Sequence, residues 1–177
     1  MPVCFVGRLG QEKSVDVLLE YWAKTIRPED SFHLMIVGEG PEEENLRALA
    51  NQLGIDGMVT FTGFVKHDQM PLYFSMCDFY VTASLSEMNS ISMLEGMASG
   101  LLVLQRYDEL NADQITSGIN GYLYHSPEEM AEKMREIRAL SPAGLANQKN
   151  NVIDSVRSRG SADLASYMLQ VYENARD

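Results

Sequence analysis

Short apolar runs that alternate with amphipathic segments are the feature that most constrains the fold of this chain. The apolar runs have the length and the β-branched or aromatic content of strands, and they lie at Val3–Val6, Phe32–Val37, Met58–Thr62, Phe79–Thr82, Leu101–Leu104 and Tyr122–Tyr124. A pattern with the apolar spacing of a helix follows each run. This alternation predicts an α/β fold in which helices cover both faces of a parallel sheet.

Signals for helix starts and ends support this interpretation. Gly40-Pro41 opens a helical pattern that Gly54 stops. Ser126-Pro127-Glu128-Glu129 forms a capping box with proline at the first helical position. From about Ala143 onward the pattern is helical without strands, so we expect the chain to end in a helical tail.

Length and charge exclude several classes of function. The 177 residues allow one good core and are few for two domains, so residues 1–177 are predicted to form a single domain. The net charge of −11 opposes any general attraction to nucleic acid or anionic lipid. No apolar run approaches the ~20 residues of a membrane-spanning helix. Because the chain opens on a core strand, we expect it to be part of a longer protein.

The cysteines and histidines argue against a disulfide and against a metal site. Cys4 and Cys77 are the only cysteines and lie beside strand-like residues, which predicts buried, reduced thiols in a cytoplasmic protein. The three histidines, His33, His67 and His125, are scattered along the chain, so a zinc site is not expected.

Ligands of open parallel sheets bind beyond the carboxyl ends of the strands. That rule selects four loops: Gly7 to Lys13, Gly38 to Pro41, Gly63 to His67, and Ala83 to Ser90. On the first loop, Arg8 and Lys13 place two cations beside a helix whose predicted cap is Ser14. A diphosphate would meet a bidentate donor, a point charge and a helix N-terminus there. The alternative is two ordinary surface cations.

Two common nucleotide-binding motifs are incomplete in this chain. The segment Gly7–Ser14 nearly matches a Walker P-loop, but Glu12 replaces the second glycine and would repel a phosphate. Gly38-Glu39-Gly40 supplies two glycines of a dinucleotide fingerprint, but Glu43 replaces the third, and the segment follows the second predicted strand. A close-packed turn is therefore the better interpretation of that segment.

Two glutamates, Glu87 and Glu95, bracket the start of a predicted helix after the strand Phe79–Thr82. Eight residues of continuous helix would separate them by roughly 80°, but a loop position for Glu87 lets both face one cleft. Asn89 or Ser90 can cap this helix, whose free N–H groups point at the same space. Carboxylates for sugar hydroxyls beside a phosphate-binding helix end predict a nucleotide-sugar site. The alternative is a pair of solvated surface glutamates.

Four motifs in order resemble the C-terminal domain of retaining glycosyltransferases of family 4, which have the GT-B fold. They are Phe5–Leu9 with Glu12-Lys13, Val37–Pro41, Val59–Val65 and Glu87–Gly100. The resemblance is clear from Phe5 to about Asn120. It implies a Rossmann-like domain that is one half of a GT-B architecture and binds the nucleotide-sugar donor.

The resemblance also implies how the donor phosphates are held. Arg8 and Lys13 match the diphosphate-binding pair of the family. The backbone of Ser90, Ile91 and Ser92 matches the segment that contacts the sugar and the phosphates. No metal or other cofactor is implied, because the cations and the helix N-terminus provide the positive charge.

Further matches concern the sugar, the ribose and the base. Glu87 matches the glutamate that contacts the donor sugar and is the candidate catalytic residue, whereas Glu95 matches the one that binds the ribose hydroxyls. Phe64 and Val65 match the strand end that frames the base. Members commonly have Gly-Phe-Gly where this chain has Met88-Asn89-Ser90, so the resemblance leaves the identity of the donor open.

The resemblance implies transfer of a hexose from a nucleotide diphosphate sugar, such as a UDP-hexose, to an unidentified acceptor with retention of configuration. An N-terminal acceptor domain is expected outside this sequence, so the isolated domain is predicted to be inactive. A cytoplasmic protein is expected, and any peripheral membrane contact would be made by that missing domain. Two alternatives stay open: a non-catalytic accessory module with the same fold, and an unrelated Rossmann-type binding domain.

Overall fold

The structure, a computed structural model, describes residues 1–85, 90–109 and 115–157 of the chain. Its strands are β1 (Pro2–Val6), β2 (His33–Val37), β3 (Val59–Gly63), β4 (Phe79–Thr82), β5 (Leu102–Arg106) and β6 (Gly121–Tyr124). Its α-helices are α1 (Val15–Thr25), α2 (Glu43–Gln52), α3 (Met70–Ser75), α4 (Ile91–Ala98), α5 (Pro127–Arg138) and α6 (Pro142–Arg157). Every predicted strand is present, with ends that differ from the prediction by no more than two residues.

The strands form one parallel sheet in the order β3-β2-β1-β4-β5-β6. The chain builds outward from β1 to β3, then returns to the other side of β1 and continues through β4 to β6. The direction of building reverses between β1 and β4, and open α/β sheets form their ligand-binding crevice at such a switch point. The predicted α/β, Rossmann-like class is therefore confirmed.

Helices cover both faces of the sheet. Consecutive residues are buried throughout β4 and along β5 as far as Gln105, and side chains of consecutive strand residues point to opposite faces. The helices form separate groups, in which α1 contacts α2 and α5, and α4 contacts α6 and β5. The largest fully buried side chains include Trp22, Tyr80 and Tyr124. Cys4 and Cys77 are buried free thiols, as predicted.

The predicted helix boundaries agree with the structure at α5 and differ at α2. The Ser126 hydroxyl accepts a hydrogen bond from the Glu129 N–H at 3.2 Å, and the Glu129 carboxylate accepts one from the His125 N–H at 2.7 Å. Helix α2 begins at Glu43, two residues after the predicted start. Glu42 precedes it in a turn, and the Glu42 N–H donates a hydrogen bond to the Leu9 carbonyl at 3.0 Å.

An ion pair between Arg135 and the buried Asp30 fixes α5 to the connection between α1 and β2. The Arg135 guanidinium donates two hydrogen bonds of 2.7 Å to the Asp30 carboxylate, whose side chain is almost fully buried. Arg138 donates to the Asp30 carbonyl, and the Arg27 N–H donates to the carboxylate at 2.9 Å. The hydrogen bond from Arg135 first, and then the Arg27 N–H and the positive charges of Arg135 and Arg138, lower the pKa of Asp30 to about 2.

Helix α6 is the described part of the predicted C-terminal helical tail, and residues 158–177 lie outside the described ranges. In the part of the chain that the structure describes, no helix combines the length and the apolar character that crossing a bilayer requires.

Candidate functional site

The carbonyl of Val6, the last residue of β1, joins three elements at the switch point. It accepts hydrogen bonds from the Tyr80 hydroxyl of β4 and the Ser92 hydroxyl of α4, each at 2.9 Å. The Ser84 hydroxyl, just beyond β4, donates to the Glu12 carbonyl at 3.1 Å. The loop after β1, the end of β4 and the start of α4 are therefore held together at the crevice that the strand order creates.

The N-terminus of α4 lies at this crevice. The buried Ser90 caps it, because its hydroxyl accepts a hydrogen bond from the Met93 N–H at 3.4 Å and lies 3.1 Å from the Ser92 hydroxyl. The N–H groups of Ile91 and Ser92 belong to the first helical turn, which has no intrahelical acceptors for them. The predicted cap at Ser90 is confirmed, whereas the other candidate, Asn89, lies outside the described residues. Such a helix end attracts anions.

A cleft of about 730 Å³ opens beside the switch point, within the size range of small-molecule sites. Its walls come from the loops after β1, β2 and β3, and its lining residues are Val6, Gly7, Arg8, Val37, Gly38, Glu39, Gly40, Pro41, Glu43, Phe64, Val65 and Met70. The fold thus brings Arg8 together with Phe64 and Val65, two predicted site elements that are far apart in sequence. Phe64 is 66% exposed at the rim, and Val65 is half-buried.

Direct backbone packing forms one wall of this cleft. The N–H groups of Gly7 and Leu9 donate to the carbonyls of Val37 and Glu39 at 3.0 and 2.9 Å. Gly38 has a φ of +134°, and a Cβ there would lie 2.0 Å from the Gly7 carbonyl oxygen. This geometry confirms that the glycines around Glu39 form a close-packed turn.

The two predicted phosphate-binding cations differ in their surroundings. Arg8 is exposed in the cleft wall, and its guanidinium makes no hydrogen bond or ion pair with the described residues. Lys13 is half-buried at the end of a short 3₁₀ turn, Gln11–Lys13. Ser14 occupies the predicted N-cap position of α1 but adopts φ 48° and makes no side-chain cap bond, so its predicted capping bond is absent.

Glu95 lies in the second turn of α4, on a smaller cavity that adjoins the cleft. This cavity has a volume of about 200 Å³ and is lined by His67, Met70, Pro71, Phe74, Glu95, Ala98 and Ser99. Met70 lines both cavities, which places Glu95 next to the main cleft. The Glu95 side chain is 33% exposed, and its carboxylate lies 3.7 Å from Nε2 of His67. Glu87, the candidate catalytic residue, lies outside the described residues.

The contact between His67 and Glu95 was not predicted from the sequence. His67 stood at the end of a predicted ligand loop, but no local pattern connected it to a residue on α4. Across the described ranges, no cluster of three or more histidine, cysteine, aspartate or glutamate side chains is arranged to hold a metal ion.

Comparison with known proteins identifies the family to which the chain belongs. The family model described as glycosyl transferases group 1 matches residues 2–154. The alpha-monoglucosyldiacylglycerol synthase of Streptococcus pneumoniae is 29% identical over 137 residues, which are 77% of this chain and 31% of that protein. The chain thus spans about a third of the length of this curated relative.

Solved structures share the fold. Anabaena HepE, crystallised in complex with UDP and glucose, superposes with a TM-score of 0.80 and 21% identity, over 99% of this chain and 48% of that one. The C-terminal domain of the group 1 glycosyl transferase LpcC from Francisella tularensis has a TM-score of 0.74 and 23% identity, over 89% of this chain and 84% of that one. The fold is that of the C-terminal domain of a GT-B glycosyltransferase, and the chain belongs to the glycosyl transferases group 1 family.

Proposed function

We propose that this chain is the donor-binding domain of a retaining hexosyltransferase and that it binds a nucleoside diphosphate sugar across the switch point. The observation that supports this most is the shared anchor at the Val6 carbonyl, which fixes the start of α4 beside the cleft that contains Arg8. A cation and a helix N-terminus then face the same crevice, an arrangement suited to a diphosphate.

Each part of the donor has a proposed location. The base lies against Phe64 and Val65, at the end of the cleft formed by the loop after β3. Arg8 and Lys13, with the backbone of Ser90, Ile91 and Ser92, hold the diphosphate and the adjoining sugar atoms. A UDP-hexose is the expected donor, since HepE was crystallised with UDP and glucose.

The carboxylates divide the remaining contacts in this proposal. Glu95, beside the cleft, accepts hydrogen bonds from the ribose hydroxyls. Glu87 contacts the donor sugar and is the proposed catalytic residue.

The reaction needs stabilisation of the nucleoside diphosphate as it departs from the sugar. In this proposal, the Arg8 guanidinium, the Lys13 ammonium and the N–H groups at the start of α4 stabilise the charge that develops on the leaving phosphate. Because these groups are already positive, we propose that the donor binds without a metal ion. The acceptor is bound by another domain of the full-length protein.

Calorimetric titration of two variants tests the division between the carboxylates. Glu95→Gln should weaken the binding of UDP itself by ~1–3 kcal/mol, since it removes a charged hydrogen-bond acceptor. Glu87→Gln should leave UDP binding unchanged and weaken only the binding of UDP-glucose. Glu20→Gln, an exposed position on α1, is the control. Equal losses for both ligands in both variants would contradict the division.

A second candidate function is a non-catalytic module that binds sugar nucleotides. It is favoured by Ser90, which caps α4 through its buried side chain at a position where the resembled family commonly has glycine. An assay that combines this chain with an acceptor domain, a donor and candidate acceptors distinguishes the two functions. The enzyme would then release UDP, whereas the module would bind UDP-glucose and leave it intact.

A further inference from the structure

The Glu95 side chain is 33% exposed, and its carboxylate makes few polar contacts with the residues that the structure describes. Within the described ranges, the carboxylate has one ion-pair contact, with His67, whose Nε2 lies 3.7 Å from Oε1. The other lining residues of the small cavity are mainly apolar, among them Met70, Pro71 and Phe74. Glu95 therefore has acceptor capacity that described protein groups do not use.

The distance between His67 and Glu95 leaves room for a third group. At 3.7 Å, the two side chains are too far apart for a direct hydrogen bond. A hydroxyl oxygen about 2.8 Å from both atoms would complete a triangle with an apex of roughly 80°, an acceptable angle between the two hydrogen bonds. Such a hydroxyl would donate to the carboxylate and accept from an imidazole N–H.

His67 lies close in sequence to the proposed base-binding residues, so the space between His67 and Glu95 is next to the proposed nucleotide site. His67 begins the 3₁₀ turn His67–Gln69, which follows the base-framing residues Phe64 and Val65 by two positions. Met70, the next residue after this turn, lines both the main cleft and the small cavity. The ribose, which is attached directly to the base, would therefore lie where the two cavities meet.

We propose that His67 is a ribose-binding residue that acts with Glu95 to select ribose over deoxyribose. This inference rests on the proposed function, because it assumes that the main cleft binds a nucleoside diphosphate. Glu95 accepts hydrogen bonds from the vicinal hydroxyls, and the His67 imidazole donates to the oxygen of one of them. Glu95 alone offers only acceptors, so without His67 that oxygen has no donor from this pair of residues.

Titration with UDP, 2′-deoxy-UDP and 3′-deoxy-UDP tests this inference. His67→Ala should weaken UDP binding by about 3- to 10-fold, the value of one net hydrogen bond. It should have little effect on the deoxy analogue that lacks the bridging hydroxyl. His67→Gln, whose amide can also donate, should recover part of the affinity. Since the His67 side chain is 83% exposed, the substitution should not disturb folding, and a thermal melt checks this.

His33→Ala is the matched control. His33 is also exposed, but it lies at the opposite end of the strands, where its ring is hydrogen-bonded to Thr60 at 2.8 Å. If the unaltered chain does not bind UDP, the proposed function itself fails. If it binds UDP but His67→Ala leaves the discrimination between UDP and both deoxy analogues unchanged, this inference is overturned and the proposed function stands.

Discussion

At the scale of single residues, the main cleft presents the exposed guanidinium of Arg8 in a chain that is strongly acidic. The net charge is −11, and the cleft wall itself includes Glu39 and Glu43. Arg47 pairs with Glu43 at 2.8 Å, whereas no described residue pairs with the guanidinium of Arg8. The attraction that we propose for a diphosphate is therefore local to Arg8 and its loop, because the overall field of the protein is negative.

We expect the double variant Arg8→Ala, Lys13→Ala to bind UDP no better than uridine, because the diphosphate would lose both cations. In the unaltered chain, UDP binding should weaken with added salt, which screens these exposed charges. Calorimetry at several salt concentrations measures both effects. The control is Lys24→Ala, Arg157→Ala, which removes two surface cations that pair with Glu128 and Asp154. Unchanged UDP affinity in the first double variant would show that the loop is only structural.

Local sequence patterns predicted some site residues and could not predict others. The cap at Ser90 needs only a serine three positions before the N–H that it binds, so a short segment contained the whole signal. The contact of His67 with Glu95 joins residues on either side of α3 and β4, and it depends on how those elements pack. Similarly, the cap bond predicted for Ser14 is absent because this residue adopts a left-handed backbone conformation.

At the scale of secondary-structure elements, hydrophobic runs predicted all the observed strands because both faces of a covered parallel sheet require apolar side chains. The start of a helix was harder to predict where the preceding turn contacts another loop. Gly40-Pro41 has the sequence of a helix start, yet α2 begins at Glu43, after a turn in which the Glu42 N–H donates to the Leu9 carbonyl. The order of strands in the sheet follows from long-range packing and has no local sequence signal.

The connection between α1 and β2 supplies a prediction at this scale. Asp30→Asn should lower the free energy of unfolding at pH 7 by on the order of 2 kcal/mol, since the pKa of the buried carboxyl is lowered to about 2 by Arg135 and its other donors. A lowered pKa stabilises the fold above the unfolded value of about 3.9, and this contribution is lost as the pH falls toward 2.

Urea unfolding of the unaltered chain and of Asp30→Asn between pH 7 and pH 2 measures this difference in stability. Asp56→Asn, at an exposed position before β3, is the control and should have little effect. A stability difference for Asp30→Asn that stays constant down to pH 2 would show that the ion pair is not its source.

At the scale of the whole molecule, the candidate site lies at the carboxyl ends of the strands. In the proposed function, the described loops bind the base, the ribose and the diphosphate of the donor. The chain spans 31% of the length of its pneumococcal relative, and in the proposed architecture the acceptor lies on a separate domain across the cleft. Binding of the donor and transfer of the sugar should therefore be separable properties.

We predict that these 177 residues bind a UDP-sugar but transfer nothing. With the cleft open to water, affinity should be modest, in the micromolar to millimolar range or ~4–8 kcal/mol. Binding should persist in EDTA, because Arg8, Lys13 and the α4 N-terminus provide the positive charge that a metal would otherwise supply. Titration with and without EDTA, beside a UDP-release assay with candidate acceptors, measures both properties. Loss of binding on chelation would refute the metal-free mechanism, and robust sugar transfer by the chain alone would refute the proposed two-domain architecture.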